Sequence, residues 1–134
     1  MRRMRTIAAL LAPALLSACA VVPAPVSTPP APQGSAVGLG RSVQVGELTV
    51  TPVAVAEDSR CPINARCAWA GRLVVRTQID GSTGGERWRD TAELQLGETY
   101  GTHGKVIALV SGEPGKIAGS ETRPEAYRFV YEGR

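Results

Sequence analysis

The strongest constraint on the fold is a pair of alternating segments flanking a glycine-rich turn. Residues 69–79 place Leu73, Val75, Thr77 and Ile79 on one side and Arg72, Val74, Arg76 and Gln78 on the other. Asp80, Gly81, Ser82, Thr83, Gly84 and Gly85 follow, a composition that reads as a turn. Residues 86–96 alternate again: Trp88, Ala92, Leu94 and Leu96 share a side with Asp90, opposite Arg87, Arg89, Thr91, Glu93 and Gln95. A period of two on both sides of a turn predicts an antiparallel hairpin with one face in a core and the other in water.

The rest of the C-terminal part reads in the same way. Residues 42–45 and 48–56 form two β segments around a Gly46-Glu47 turn, and Pro52 places the second at an edge or a bulge. Residues 97–104 read as loop. Val106, Ile107, Ala108, Leu109 and Val110 are apolar on both faces, as in a central strand, and a Gly/Pro/Ser-rich loop spans residues 111–124. Tyr127, Phe129 and Tyr131 alternate with Arg128, Val130 and Glu132 in a closing strand. No stretch has a helical apolar period. The expected fold is therefore all-β, an antiparallel sandwich or small barrel of six or seven short strands over residues 37–134.

The N-terminus has a different character. Arg2, Arg3 and Arg5 precede a short apolar run from Ile7 to Leu16 that Pro13 interrupts, and Ser17, Ala18 and Cys19 follow. A membrane span needs roughly 20 apolar residues, so the run suits an export signal instead. Leu16-Ser17-Ala18-Cys19 resembles the lipobox of bacterial lipoproteins. That resemblance implies cleavage after residue 18, lipid on Cys19 and attachment to a membrane through acyl chains. Ala20, rather than Asp, after the cysteine implies transfer to the outer membrane, on its periplasmic face. Residues 20–36 contain five prolines and no charge, a spacer of polyproline II character between the lipidated Cys19 and the domain. Removing the leader takes three of the fifteen cationic residues and no acidic one, leaving twelve of each sign. The apparent basicity of the chain belongs to its leader, and nucleic acid is excluded by compartment.

Cys61 and Cys67 are the two remaining thiols, and in an oxidising compartment they are expected to pair. Closing so short a loop removes about 2.4 kcal/mol of chain entropy from the unfolded state in the simplest model. The surrounding string D-S-R-C-P-x4-C-x-W-A-G, from Asp58 to Gly71, resembles one found in small secreted or lipid-anchored bacterial proteins without an assigned activity. Beside a disulfide, Trp69 is expected to pack over the bridge and seal one end of the core. Asp58 or Ser59 is expected to bond to loop amides.

Candidates for chemistry are few. His103 lies in a turn, with no Ser or Cys in a recognisable catalytic setting, and the single histidine cannot support a zinc site. Asp90 sits on an apolar face and needs a hydrogen-bonding or arginine partner. No cofactor motif is present, and the expectation is a non-catalytic protein. Two surfaces suggest binding. Arg72, Arg76, Arg87 and Arg89 share the polar face of the hairpin with Glu93, a set that can hold carboxylates or phosphates of an envelope protein or an anionic glycan. The alternative is an inhibitor of a periplasmic or foreign hydrolase that projects the Cys61–Cys67 loop with Ile63, Asn64 and Arg66.

Overall fold

The structure, a computed structural model, describes residues 17–24 and 27–134. Most of the leader, including Leu16 of the lipobox, lies outside the described residues. Seven strands form two antiparallel sheets, so the all-β expectation and its strand number hold. The first sheet runs in chain order through β1 (Val43–Val45), β2 (Leu48–Asp58), β3 (Leu73–Thr83) and β4 (Glu86–Gln95). The second contains β5 (Thr99–Thr102), β6 (Lys105–Glu113) and β7 (Arg128–Gly133), with β6 in the middle as its two apolar faces require.

Local sequence sets the register. In the hairpin, Thr83 faces Glu86 across Gly84-Gly85, both glycines at positive φ, so the turn is two residues and the strands run on through residues 80–83. This differs from the longer turn expected over residues 80–85, because Asp80 and Ser82 keep the strand alternation and pair with Arg89 and Arg87. Pro52 is buried within β2, where its missing N–H is accommodated by a register shift between Pro52 and Ala54. The segment 97–104, expected to be loop, contains β5, which pairs Tyr100 with Ile107 along β6. Its polar, glycine-containing sequence hides a strand held by its neighbour rather than by apolar alternation.

The core lies between the sheets. Val43, Val50, Leu73, Val75 and Ile79 from the first sheet meet Ile107, Leu109, Tyr127, Phe129 and Tyr131 from the second or its entry. One polar contact crosses this core: Thr77 Oγ1 and the Tyr131 hydroxyl lie 3.0 Å apart, both fully buried. Burial pushes the Tyr131 phenol upward, and its hydrogen bond to Thr77 offsets part of that shift.

The N-terminal segment closes one side of the sandwich. Ala31 bridges β1 in parallel, its N–H donating to Ser42 and its carbonyl accepting from Gln44, while Gln33 Oε1 accepts from the Gly46 amide. Val37 exchanges two 2.9 Å hydrogen bonds with Phe129 of β7. Residues 31–37 therefore cross from the edge of one sheet to the edge of the other, covering two otherwise open edges. Residues 31 and 33, part of the proline-rich spacer by composition, are held on the domain.

Replacing Thr77 with Val is expected to strand the buried Tyr131 hydroxyl and cost about 1–3 kcal/mol in urea unfolding. Adding Tyr131→Phe is expected to recover part of that loss; a double variant as unstable as the sum of the two single changes would contradict the pairing.

Candidate functional site

The strands give the sandwich two distinct ends. The β1–β2, β3–β4 and β5–β6 turns lie at one; residues 59–72 and the connection from β6 to β7 lie at the other. Cys61 and Cys67 are joined there by a disulfide, with Cα atoms 5.9 Å apart. The loop is fastened to the body at several points. The Cys61 amide donates to Ala70, the Ile63 amide to Lys116, and the Ala118 amide to Asn64 Oδ1.

The principal fastening is Asp58–Arg60. Arg60 places Nε and a terminal nitrogen on the two Asp58 oxygens, each at 2.8 Å. The same guanidinium donates to the carbonyls of Gly112 at 2.6 Å and Pro114 at 3.0 Å, on the opposite sheet and its exit loop. The Tyr127 hydroxyl also donates to Asp58, at 2.8 Å, and Lys116 Nζ to the Asp58 carbonyl at 2.7 Å. Only 7% of the Asp58 side chain and 17% of the Arg60 side chain are exposed. Burial pushes the Asp58 carboxyl up, but the hydrogen bonds from Arg60 and Tyr127 and the Arg60 charge outweigh it, and the net shift is downward. Of the two residues expected to serve loop amides, Asp58 pairs with Arg60, whose guanidinium offers a two-point partner. Ser59 meets that expectation in part, accepting from the Arg72 amide.

Trp69 does not seal the core. It is 82% exposed, and Ile63 is 74% exposed. The strand that would have turned Trp69 inward begins only at Leu73, after Gly71 at φ +66°, whose Cα lies so near the Ser59 carbonyl that a Cβ would collide with it. The Asp58–Arg60–Tyr127 cluster spans the sheets at that end, leaving the indole outside. Ile117, 43% exposed, lies in the segment to which Ile63 and Asn64 bond.

The arginine face assembles as the alternation requires, on the outer side of the first sheet, but most of its charge is matched. Arg72 pairs with Glu57 at 2.6 Å, Arg76 with Glu93 at 3.4 Å and Arg89 with Asp80 at 2.6 Å. Arg87 and, in the disulfide loop, Arg66 have no ion-pair partner among the described residues. Asp90 finds its partners in β5: Tyr100 and Thr102 donate to its carboxylate at 2.8 and 2.9 Å, holding it below the ordinary carboxylate range. This ties β4 to β5. His103 stacks on Trp88 with ring centroids 3.8 Å apart and lies at φ 47°. Cys19 is exposed and is the cysteine outside the disulfide.

In comparisons with known proteins, no family model, no curated protein and no solved structure matches this chain.

Arg60→Gln is expected to leave the Asp58 carboxylate buried without its cation and to cost on the order of 3 kcal/mol in denaturant unfolding at neutral pH. A carboxylate whose folded pKa is depressed stabilises the fold above its ordinary value and loses that contribution as pH falls through the lowered one. Stability is therefore expected to decline below pH ~4 in the parent protein, and less steeply in Asp58→Asn. Parallel pH profiles for the two proteins would contradict the role given to Asp58.

Proposed function

We propose that the protein is a lipid-anchored module of the cell envelope, held at the periplasmic face of the outer membrane by acyl chains on Cys19, that works by contact rather than catalysis. The lipobox resemblance and the exposure of Cys19, ahead of a proline-rich uncharged stretch, support the anchor. The observation that carries the contact reading is the loop end. A fused set of a disulfide, backbone bonds and the Arg60 clamp holds Trp69 and Ile63 in water. Large apolar side chains displayed without burial on a held backbone are the composition of an interaction hot spot, because the cost of ordering that backbone is met before the partner arrives.

The loop end is favoured over the arginine face. Three of the four guanidiniums there are matched to carboxylates, which leaves little for a polyanionic glycan to neutralise. The neutral balance of the chain beyond its leader points the same way.

Two measurements test this reading. A photoreactive residue at position 63 of the full-length protein in native envelopes is expected to crosslink to an envelope component, protein or lipid, and one at Thr91 on the outer sheet face is not; adducts from Thr91 alone would contradict it. Cys19→Ser is expected to release the protein from membranes, and continued sedimentation with the outer membrane would contradict the anchor.

A further inference from the structure

We infer that the partner of the loop end is the bilayer surface itself: Trp69 and Ile63 enter the interfacial region of the membrane that holds the Cys19 acyl chains, and Arg66 meets its phospholipid headgroups. The inference rests on the anchor proposed above and names what the contact surface touches.

The path of the chain carries it. Ala31 runs parallel to β1, which is antiparallel to β2, and Val43 lies opposite Val50. The chain therefore enters Ala31 from the side toward which β2 runs, the side of Asp58 and the disulfide loop. From Val50 to Asp58 the strand advances about 25 Å at a strand's rise per residue. The twelve residues from Cys19 to Pro30 reach about 37 Å in a polyproline II conformation, enough to bring the lipid level with the loop tip and little more. A chain that enters Ala31 from the loop side, with this reach, allows the loop tip to meet the bilayer that holds the lipid.

The loop has the chemistry for that surface. Trp is the side chain most at home at the headgroup level, with an apolar body and one N–H donor. Arg60 is largely buried against Asp58, and Arg66, which has no ion-pair partner among the described residues, supplies the loop's cation for anionic phospholipids. Ile117 extends the apolar patch on the neighbouring connection. An exposed Trp and Ile alone bind a membrane weakly, but the tether makes their insertion intramolecular and raises its effective concentration. Docked in this way, the domain stands with its hairpin end toward the periplasm and its outer sheet face open to the side.

The test uses the chain from Cys19 onward, coupled through its one free thiol to a maleimide headgroup lipid in vesicles of phosphatidylglycerol and phosphatidylethanolamine. This reproduces the tether whether or not cells acylate Cys19. Trp69 fluorescence is read as the difference between the parent and Trp69→Phe, which retains Trp88. The expected result is a blue shift, quenching by lipids brominated near the headgroup, and loss of quenching by aqueous iodide. Vesicle-bound protein whose Trp69 is as open to iodide as in the uncoupled protein would overturn the inference. So would an aqueous Trp69 on vesicles together with a single protein adduct from position 63 in envelopes, which would assign the loop to a protein and leave the contact reading standing. Failure of the anchor is read separately, from the fractionation of Cys19→Ser.

Discussion

The pairing of Asp58 with Arg60 is the interaction on which the loop end of the molecule depends. Between β2 and β3 the chain runs fourteen residues without a strand, and the core beneath would otherwise open to water. Arg60 closes that end with one planar group. It is fixed by a two-point bond to Asp58 and donates two more hydrogen bonds, to carbonyls of the other sheet and its exit loop. The charge is buried, yet each side of it is met, which is the condition under which an internal ion pair holds a structure in place. Tyr127 completes the cluster, and stacks on Phe129 with centroids 5.6 Å apart, so the clamp continues into the aromatic core.

The same clamp explains why an indole is left in solvent. Arg60 bridges the gap between the sheets, and Trp69 lies outside it in solvent. Gly71 turns the chain against Ser59 before β3 begins. The disulfide then fixes the loop's outline while contributing no contact to the core. The outcome is division of labour along one short sequence motif: Asp58, Arg60 and Gly71 hold the loop, Cys61 and Cys67 close it, and Ile63 and Trp69 are displayed.

The parts of the fold legible in the sequence are those with apolar periodicity. Leu73, Val75, Thr77 and Ile79 in β3 and Tyr127, Phe129 and Tyr131 around β7 alternate, and they are buried; the two-sided run 106–110 lies in the central strand of its sheet. The β5 strand was not legible because Thr99, Tyr100, Gly101 and Thr102 show no apolar alternation and gain their strand character from pairing with β6 and from the Asp90 carboxylate. For the candidate site, the disulfide and the arginine face followed from local pattern. The partners of those arginines did not, since Glu57 and Asp80 take their places only once the register is known. Trp69 was misplaced because a tryptophan beside a disulfide was expected to pack over it, whereas the strand starts only at Leu73 and the indole stays exposed. A glycine two positions later was the available signal.

The central claim is that Arg60 holds the disulfide loop as a rigid platform, and amide hydrogen exchange tests it most directly. The Cys61 and Ile63 amides, bonded to Ala70 and Lys116, are predicted to be protected in the parent protein. In Arg60→Gln they are predicted to exchange freely while the amides of β3 keep their protection. Unchanged protection at Cys61 and Ile63 in that variant would contradict the account.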